Sequence, residues 1–227
     1  MMRRIRRGQP FDHPHLPFFL SSLFQYIDSV GDLAKKYKLK LHIDGARLMN
    51  ACVATGVDAG RMVAAADSVS LCLSKGLGAP VGSVLVGTSE FIKKARRLRK
   101  ALGGGMRQVG IIAAAGIIAV TEMVNGLARD HQHAKFIVQQ LAAVPGFILP
   151  SIESVETNIV YVGIDSSKLS LTAAQLVDRL RQFGILSAAT DRLTVRFVFH
   201  HQVSKEDVEF AIDCIKKATE ESNGTSQ

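Results

Sequence analysis

The strongest structural signal in this chain is the run Ser68-Val-Ser-Leu-Cys-Leu-Ser-Lys-Gly-Leu-Gly-Ala-Pro-Val-Gly-Ser-Val-Leu-Val86. Two apolar segments, 68–73 and 81–86, flank a short loop, residues 74–80, that holds one lysine, two glycines and a proline. Apolar runs of this length, bounded by glycine and proline, are typical of buried strands. Because the loop is short, the two strands can pair antiparallel. The run therefore predicts a sheet with Lys75 at its edge.

The loop alone leaves two interpretations of Lys75. A lysine at the mouth of a hydrophobic sheet, with no acidic neighbour in sequence, loses contact with water, and its lowered pKa suits an amine that bonds to a carbonyl group. The alternative is a surface turn in which the lysine keeps the strand edge soluble. On the evidence of the loop alone, the surface turn is the favoured interpretation of Lys75.

Length and composition exclude several classes of protein. A chain of 227 residues with 47% apolar residues is long enough for a real core and is not a disordered protein. The uncharged, strongly apolar stretch 108–121 is too short and too rich in glycine and alanine to span a bilayer, so it predicts a buried helix. Cys52, Cys72 and Cys214 are scattered and odd in number, which favours small buried thiols in a reduced compartment over a disulfide or a metal site.

The net charge of +8 comes from two short clusters, residues 3–7 and 93–100. The second cluster has only Phe91 as an aromatic neighbour and is typical of a solvated helix face. We therefore expect no nucleic-acid partner.

The order of predicted elements indicates an α/β protein with two domains. Residues 1–25 are rich in arginine and proline and are interpreted as a non-homologous leader. Their loose resemblance to an organellar transit peptide makes a mitochondrial location the alternative to a cytoplasmic one. Residues 26–126 alternate helices and strands, which predicts a large domain with a mixed, mostly parallel sheet. Residues 127–219 predict a small α+β domain, and 220–227 a polar tail.

Asp44 changes the interpretation of Lys75. It follows the predicted strand 39–43, and carboxyl ends of strands in α/β sheets collect ligands. A carboxylate opposite a lysine suits pyridoxal phosphate (PLP), whose aldehyde bonds to the amine and whose protonated pyridine nitrogen pairs with the acid. A structural Asp–Lys ion pair explains the pattern equally well.

Three motifs carry a resemblance to a known family. They are His42-Ile-Asp-Gly-Ala-Arg-Leu-Met-Asn50, the run 68–83, and Ala101-Leu-Gly-Gly-Gly-Met-Arg-Gln108. Together they resemble the low-specificity L-threonine aldolases, fold-type-I PLP enzymes of the aspartate aminotransferase superfamily. The resemblance extends from about residue 26 to about residue 219.

The resemblance implies roles for individual residues. Lys75 would be the catalytic lysine that bonds to PLP, and Asp44 would hold the pyridine nitrogen. Arg47 would lie near the ring oxygen of the cofactor and the substrate carboxylate. Arg196, in Leu193-Thr-Val-Arg-Phe-Val-Phe-His200, would bind the α-carboxylate of the substrate.

Two further basic residues, Lys100 and Arg107, match positions near the phosphate side of the cofactor or a subunit interface. The implied reaction is the aldol cleavage of L-threonine or L-allo-threonine, a β-hydroxy amino acid, to glycine and acetaldehyde. The implied protein is a cytoplasmic lyase of threonine catabolism and glycine biosynthesis, assembled as a homo-oligomer (dimer or tetramer), without a metal and without a membrane partner.

The chain departs from the family in one respect. The N-terminal part of the large domain, which supplies most of the central sheet, the phosphate-binding helix N-terminus and a stacking histidine, has no counterpart here. His13 and His15 do not match by motif, and His131 and His133 are predicted on a solvent-facing helix. We therefore expect an isoform or fragment with weak or no PLP binding unless a partner chain completes the site. The alternative function is an inactive chain that at most assembles with a full-length subunit.

Overall fold

The computed structural model describes residues 19–223, and the side chains of residues 25–220. The helices are α1 (Phe19–Lys36), α2 (Leu48–Thr55), α3 (Ala59–Met62), α4 (Ser89–Ala101), α5 (Gly110–Thr121), α6 (Leu127–Leu141), α7 (Ala173–Gln182) and α8 (Lys205–Asn223). The strands are β1 (His42–Gly45), β2 (Ser68–Cys72), β3 (Ser83–Gly87), β4 (Phe147–Ile148), β5 (Ile159–Ile164), β6 (Ala188–Ala189) and β7 (Thr194–Val198). Two 3-10 turns cover Met123–Gly126 and Ile152–Ser154. The chain is therefore an α/β protein, as predicted.

A three-stranded mixed sheet in the order β1-β2-β3 carries the lysine loop. β1 and β2 are parallel and are connected through α2 and α3, because a parallel pair needs a crossover connection. β2 and β3 are antiparallel, with Ser70 opposite Leu85, which confirms the pairing predicted from the short loop. This arrangement places the end of β1 and the end of β2 at one edge of the sheet.

The predicted burial of β3 and of the helix at 108–121 is wrong. All five residues of β3 are exposed, and Val86 keeps 52% of its surface. In α5 only Gly116 and Ala119 are buried, while Ile111 is 88% exposed. The physical reason is that β3 contacts mainly β2 and α4, and α5 mainly the turn Met123–Gly126, which leaves most of their apolar side chains facing solvent.

A four-stranded antiparallel sheet, in the order β4-β5-β7-β6, forms with α6, α7 and α8 the larger of two apolar cores. Residues of β5 alternate along the strand, so that Val160, Val162 and Ile164 point into this core. A capping box between Thr172 and Gln175 starts α7. Twenty-two buried residues belong to this cluster, against five in the cluster under the lysine loop.

Helix α6 contributes to both cores. Leu127, at its start, packs with Leu73 and Leu77 under the lysine loop, whereas Ile137 and Leu141 belong to the larger core. The domain boundaries at residues 25/26, 126/127 and 219/220 stay predictions. Helix α1 begins at Phe19, inside the predicted leader. The rest of the leader lies outside the described residues, and so do the arginine cluster 3–7, His13 and His15 within it. Residues 224–227 of the tail also lie outside them.

Within residues 19–223, no single helix has the length and hydropathy needed to cross a membrane. Helix α5 and the segment Met123–Leu141 meet the length and composition criteria when they are taken together, but the chain bends by 50° between them.

Candidate active site

Asp44 and Lys75 lie at the same edge of the three-stranded sheet. Asp44 stands opposite Ser70 in the parallel register, and Lys75 follows three residues after β2 ends. The Oδ1 atom of Asp44 accepts a hydrogen bond of 3.1 Å from the backbone N–H of Ala46, which fixes the turn into α2. No ion pair joins Asp44 with Lys75 in the described chain, so the structural ion pair offered as an alternative is not formed.

The lysine loop (residues 74–80) is held by its own backbone. The N–H of Gly78 donates to the carbonyl of Lys75 at 2.9 Å, and the N–H of Ala79 donates to the carbonyl of Leu73 at 3.0 Å. The side chain of Lys75 is exposed. The prediction that a hydrophobic setting removes water from Lys75 is therefore wrong, because the neighbouring strand β3 exposes both of its faces.

Two glycines allow the lysine loop to approach its surroundings closely. A Cβ atom on Gly76 would lie 3.2 Å from Oδ1 of Asn50 and 3.0 Å from Cδ2 of Leu127. A Cβ atom on Gly78, whose φ is +72°, would lie 2.8 Å from Cε1 of His201. The loop backbone is thus packed between α2 and α6 on one side and the segment after β7 on the other.

The predicted arginines occupy different positions. Arg47 is the residue before α2, three positions after Asp44, and is exposed. Arg196 lies in β7 opposite Tyr161 and is half-buried, and its Nε atom is a buried donor without a hydrogen-bond partner among the described residues. An unpaired guanidinium donor of this kind is suited to an anionic ligand such as a carboxylate.

Lys100 and Arg107 are both exposed. Lys100 is the next-to-last residue of α4, and the three glycines 103–105 separate that helix from Arg107. Their contact with a phosphate or a subunit interface stays a prediction.

A buried polar cluster lies between the two sheets and is absent from the sequence-based prediction. Asp130 is 1% exposed, and His131 and His133 are each 7% exposed. The predicted solvent-facing position of the two histidines is wrong because α2, α8 and β5 pack against α6. The available signal is that positions 130 and 131 fall in register with the apolar residues at 127, 134, 138 and 141.

Burial shifts the pKa values of this cluster in opposite directions. It raises the pKa of the Asp130 carboxyl, an effect that the positive charge of Arg129 reduces. Burial lowers the pKa of His131 and of His133. The positive charge of Lys135 lowers the pKa of His131 further, and that of Arg129 lowers the pKa of His133 further. Asp130 is therefore kept toward its neutral form, and so are both imidazoles.

The described residues fit the reactive groups of PLP. Lys75 offers an amine for the aldehyde, Asp44 a carboxylate for the pyridine nitrogen, and Arg196 an unpaired donor for a substrate carboxylate. The cavity between the start of α2 and the lysine loop, lined by residues 45–50, 71–72 and 76–77, measures only about 10 Å³, room for one water at most. No group of three metal-binding side chains occurs in the described part of the chain.

Comparison with known proteins places the chain in a family. The family model for beta-eliminating lyases matches residues 23–165. The chain is 45% identical over 194 residues to low-specificity L-threonine aldolase 1 of Arabidopsis thaliana, an alignment that covers 86% of this chain and 54% of that protein. It is 39% identical over 184 residues to the low specificity L-threonine aldolase of Escherichia coli K12, covering 81% of this chain and 52% of that protein.

The fold is also that of a solved relative. The structure of a threonine aldolase from Leishmania major matches with a TM-score of 0.67 at 17% identity, over 86% of this chain and 56% of that one. The chain spans about half the length of the curated relatives it matches. The resemblance inferred from the three motifs is confirmed, and the chain belongs to the beta-eliminating lyase family.

Proposed function

We propose that this chain belongs to a PLP-dependent lyase that breaks the Cα–Cβ bond of L-threonine or L-allo-threonine and yields glycine and acetaldehyde. The observation that carries the proposal is the position of Asp44 and Lys75, at the same edge of a parallel strand pair. Its support is the identity of 39% and 45% to two proteins named as threonine aldolases.

Each proposed role follows from the position of a side chain. PLP, when bound, supplies an electron sink for the pair left on Cα. Lys75 would hold the cofactor from an exposed loop, and Asp44, whose Oδ1 accepts the N–H of Ala46, would pair with the protonated pyridine nitrogen. Arg196 would bind the substrate carboxylate with its unpaired Nε, and Arg47, three residues after Asp44, would add positive charge to the site.

We also propose that a second chain completes the site. A cavity of about 10 Å³ cannot enclose a cofactor, and the neighbouring strand β3 and helix α5 expose apolar side chains. A homo-oligomer places another subunit over these surfaces, with Lys100 and Arg107 at the phosphate side or the subunit interface.

PLP titration of the purified chain tests the lyase proposal. We expect the visible absorbance that PLP acquires on bonding to a lysine amine, and its loss in Lys75→Ala but not in the matched surface variant Lys93→Ala. Acetaldehyde release from L-threonine and L-allo-threonine, coupled to NADH oxidation, measures the reaction. Absorbance that persists in Lys75→Ala, or release of acetaldehyde by that variant, contradicts the assignment.

The second candidate function is an inactive chain that assembles with a longer subunit. The observation that favours it is the exposed strand β3, since an apolar edge strand is a template for pairing with another chain. Co-expression with a full-length family member, followed by affinity purification, tests it. We expect recovery of both chains and reduced recovery with Val84→Lys, which puts a charge on the exposed face. Equal recovery with both versions contradicts the role of β3.

We propose a cytoplasmic location, with the mitochondrion as the alternative. The proposal is supported by three cysteines that are all free thiols. Cell fractionation of the full chain with a C-terminal tag tests it, and recovery in the mitochondrial fraction contradicts it.

A further inference from the structure

Three buried side chains between the two sheets are hydrogen-bonded in a row. The Nδ2 atom of Asn158 donates to the carbonyl of Phe199 at 2.7 Å. The Nδ2 atom of Asn50 lies 3.3 Å from Oδ1 of Asn158 and 3.1 Å from Nε2 of His131. Asn50 and Asn158 are each 3% exposed and His131 is 7% exposed, so solvent does not compete for these bonds. We call these three residues the Asn–Asn–His network.

The direction of every bond in the network follows from one backbone carbonyl. The oxygen of Phe199 can only accept, so the amide of Asn158 must turn its Nδ2 toward it and its Oδ1 toward Asn50. Asn50 must therefore present its own Nδ2, which has two hydrogens, to Oδ1 of Asn158 and to Nε2 of His131. Nε2 of His131 can only accept in this arrangement, which leaves the imidazole proton on Nδ1.

We propose that the Asn–Asn–His network locks the lysine loop to the four-stranded sheet, and that the lock requires a neutral His131 with its proton on Nδ1. A second proton on His131 would occupy Nε2 and direct it at the N–H groups of Asn50. If the Asn50 amide turned to receive that proton, its oxygen would face Oδ1 of Asn158. Asn50 therefore loses its bond to His131 or its bond to Asn158.

The network lies between the lysine loop and the strand that carries Arg196. Asn50 lies close to Gly76, the residue after Lys75: a Cβ atom on that glycine would lie 3.2 Å from Oδ1 of Asn50. Asn158 holds Phe199 through both its side chain and its backbone carbonyl, and Phe199 follows the strand that carries Arg196. Asn50, Asn158 and His131 are thus positioning residues for Lys75 and Arg196. The bonds of the network are contacts within the chain, whereas the positioning role rests on the function proposed for Lys75 and Arg196.

The surroundings of His131 oppose a second proton. Burial lowers its pKa, and Lys135, one turn further along α6, adds a repulsive positive charge. The elements α2 and β5 and the turn Met123–Gly126, which pack against α6, contain no charged side chain.

Acidic groups near α6 act elsewhere. Glu153 and Glu206, on the turn Ile152–Ser154 and on α8, are exposed, and the charge of Glu206 acts on His133. Asp130 interacts with Arg129, His133, His200 and His201. None of these carboxylates is among the groups that shift the pKa of His131.

Nitrogen NMR of the full chain with labelled histidine tests the proton position directly. The chain has seven histidines, and the signal missing from His131→Gln identifies His131. We expect the native signal to be that of an imidazole with its proton on Nδ1, unchanged down to a pH below the usual pKa of about 6.5. A proton on Nε2, or a pKa at or above the usual value, overturns the proposal.

Two variants separate the network from general packing. The glutamine in His131→Gln can still accept from Asn50 but does not titrate. As the pH falls from about 8 to about 5, the unfolded chain takes up a proton on His131 before the folded chain does. The unfolding equilibrium constant of the native chain should therefore rise relative to that of His131→Gln. The rise is about tenfold for each unit by which folding lowers the pKa of His131. Asn50→Asp offers His131 an acceptor in place of a donor, so the pKa of His131 should rise.

His42→Gln, which replaces an exposed histidine, is the control for the removal of an imidazole. Equal pH dependence in the native chain and His131→Gln, or an unchanged pKa of His131 in Asn50→Asp, overturns the proposal. A native chain without cooperative unfolding at about pH 8 also overturns it, because the network requires both sheets to be folded together. None of these measurements needs PLP, so their failure is distinct from failure of the proposed lyase activity.

Discussion

Replacement of Asp130 by asparagine should raise the free energy of unfolding at neutral pH. Asp130 is 1% exposed, and neither of its side-chain oxygens has a hydrogen-bond partner among the described residues. Burial raises the pKa of its carboxyl, against the partial compensation of Arg129, His133, His200 and His201. Asparagine keeps the shape of the side chain and removes the charge, so the cost of a buried carboxylate disappears.

The pH dependence follows from the direction of that shift. As the pH rises through about 4, the carboxyl ionises first in the unfolded chain, because its pKa there is the ordinary one. The native chain is therefore destabilised between the ordinary pKa and the raised folded pKa of Asp130, and the loss remains at higher pH. Since an unpartnered polar atom costs about 1–3 kcal/mol and asparagine stays polar, we expect a gain at the lower end, on the order of 1 kcal/mol at neutral pH.

Urea unfolding of the native chain and the variant from about pH 2 to about pH 8 measures this difference, because the ordinary pKa of an aspartate is about 4. The gain should vanish at the acidic end, where Asp130 is protonated in both the folded and the unfolded chain. Asp178→Asn, an exposed carboxylate on α7, is the control and should show no such trend. A constant difference between Asp130→Asn and the native chain over the whole pH range would refute the reasoning.

Three further substitutions test the packing. Gly78→Ala should destabilise the fold more than Gly56→Ala. Both glycines have a positive φ, which costs other residues about 1–2 kcal/mol. Only at Gly78 would the added Cβ also meet a neighbour, Cε1 of His201 at 2.8 Å. Equal losses in urea unfolding would contradict that contact. Ile215→Ala should cost about 2–5 kcal/mol, since Ile215 is 0% exposed in the larger core, and a loss below about 1 kcal/mol would show that the site is looser than described. Thr172→Ala should cost about 1 kcal/mol by removing the cap of α7, with no loss expected in Ser170→Ala.

Local chemistry made much of the fold predictable. The antiparallel pair around the lysine loop follows from loop length, and the helix α7 follows from its apolar spacing and its threonine cap. The common edge of Asp44 and Lys75 follows from strand order, because each residue is placed just beyond an apolar run. These features depend on neighbours a few residues away in sequence.

Burial was less predictable because it depends on distant partners. An apolar strand such as β3 has the same composition whether or not another sheet element covers it, and α5 likewise. The histidines of α6 were predicted on the wrong face because imidazole is polar, although the 3–4 spacing of the helix includes position 131. The hydrogen bonds of Asn50 join residues 81 and 108 positions apart, a distance that no local pattern encodes.

The unequal size of the two cores has a consequence for local opening of the chain. The cluster of 22 buried residues around the four-stranded sheet should give its amides slow hydrogen exchange, set by global unfolding. The five residues under the lysine loop support a sheet whose outer strand is bare, so amides of β3 and of residues 74–80 should exchange through smaller, sub-global openings. A protease given the native chain would then cut first between β2 and α5 and leave the segment from α6 onward as a resistant unit.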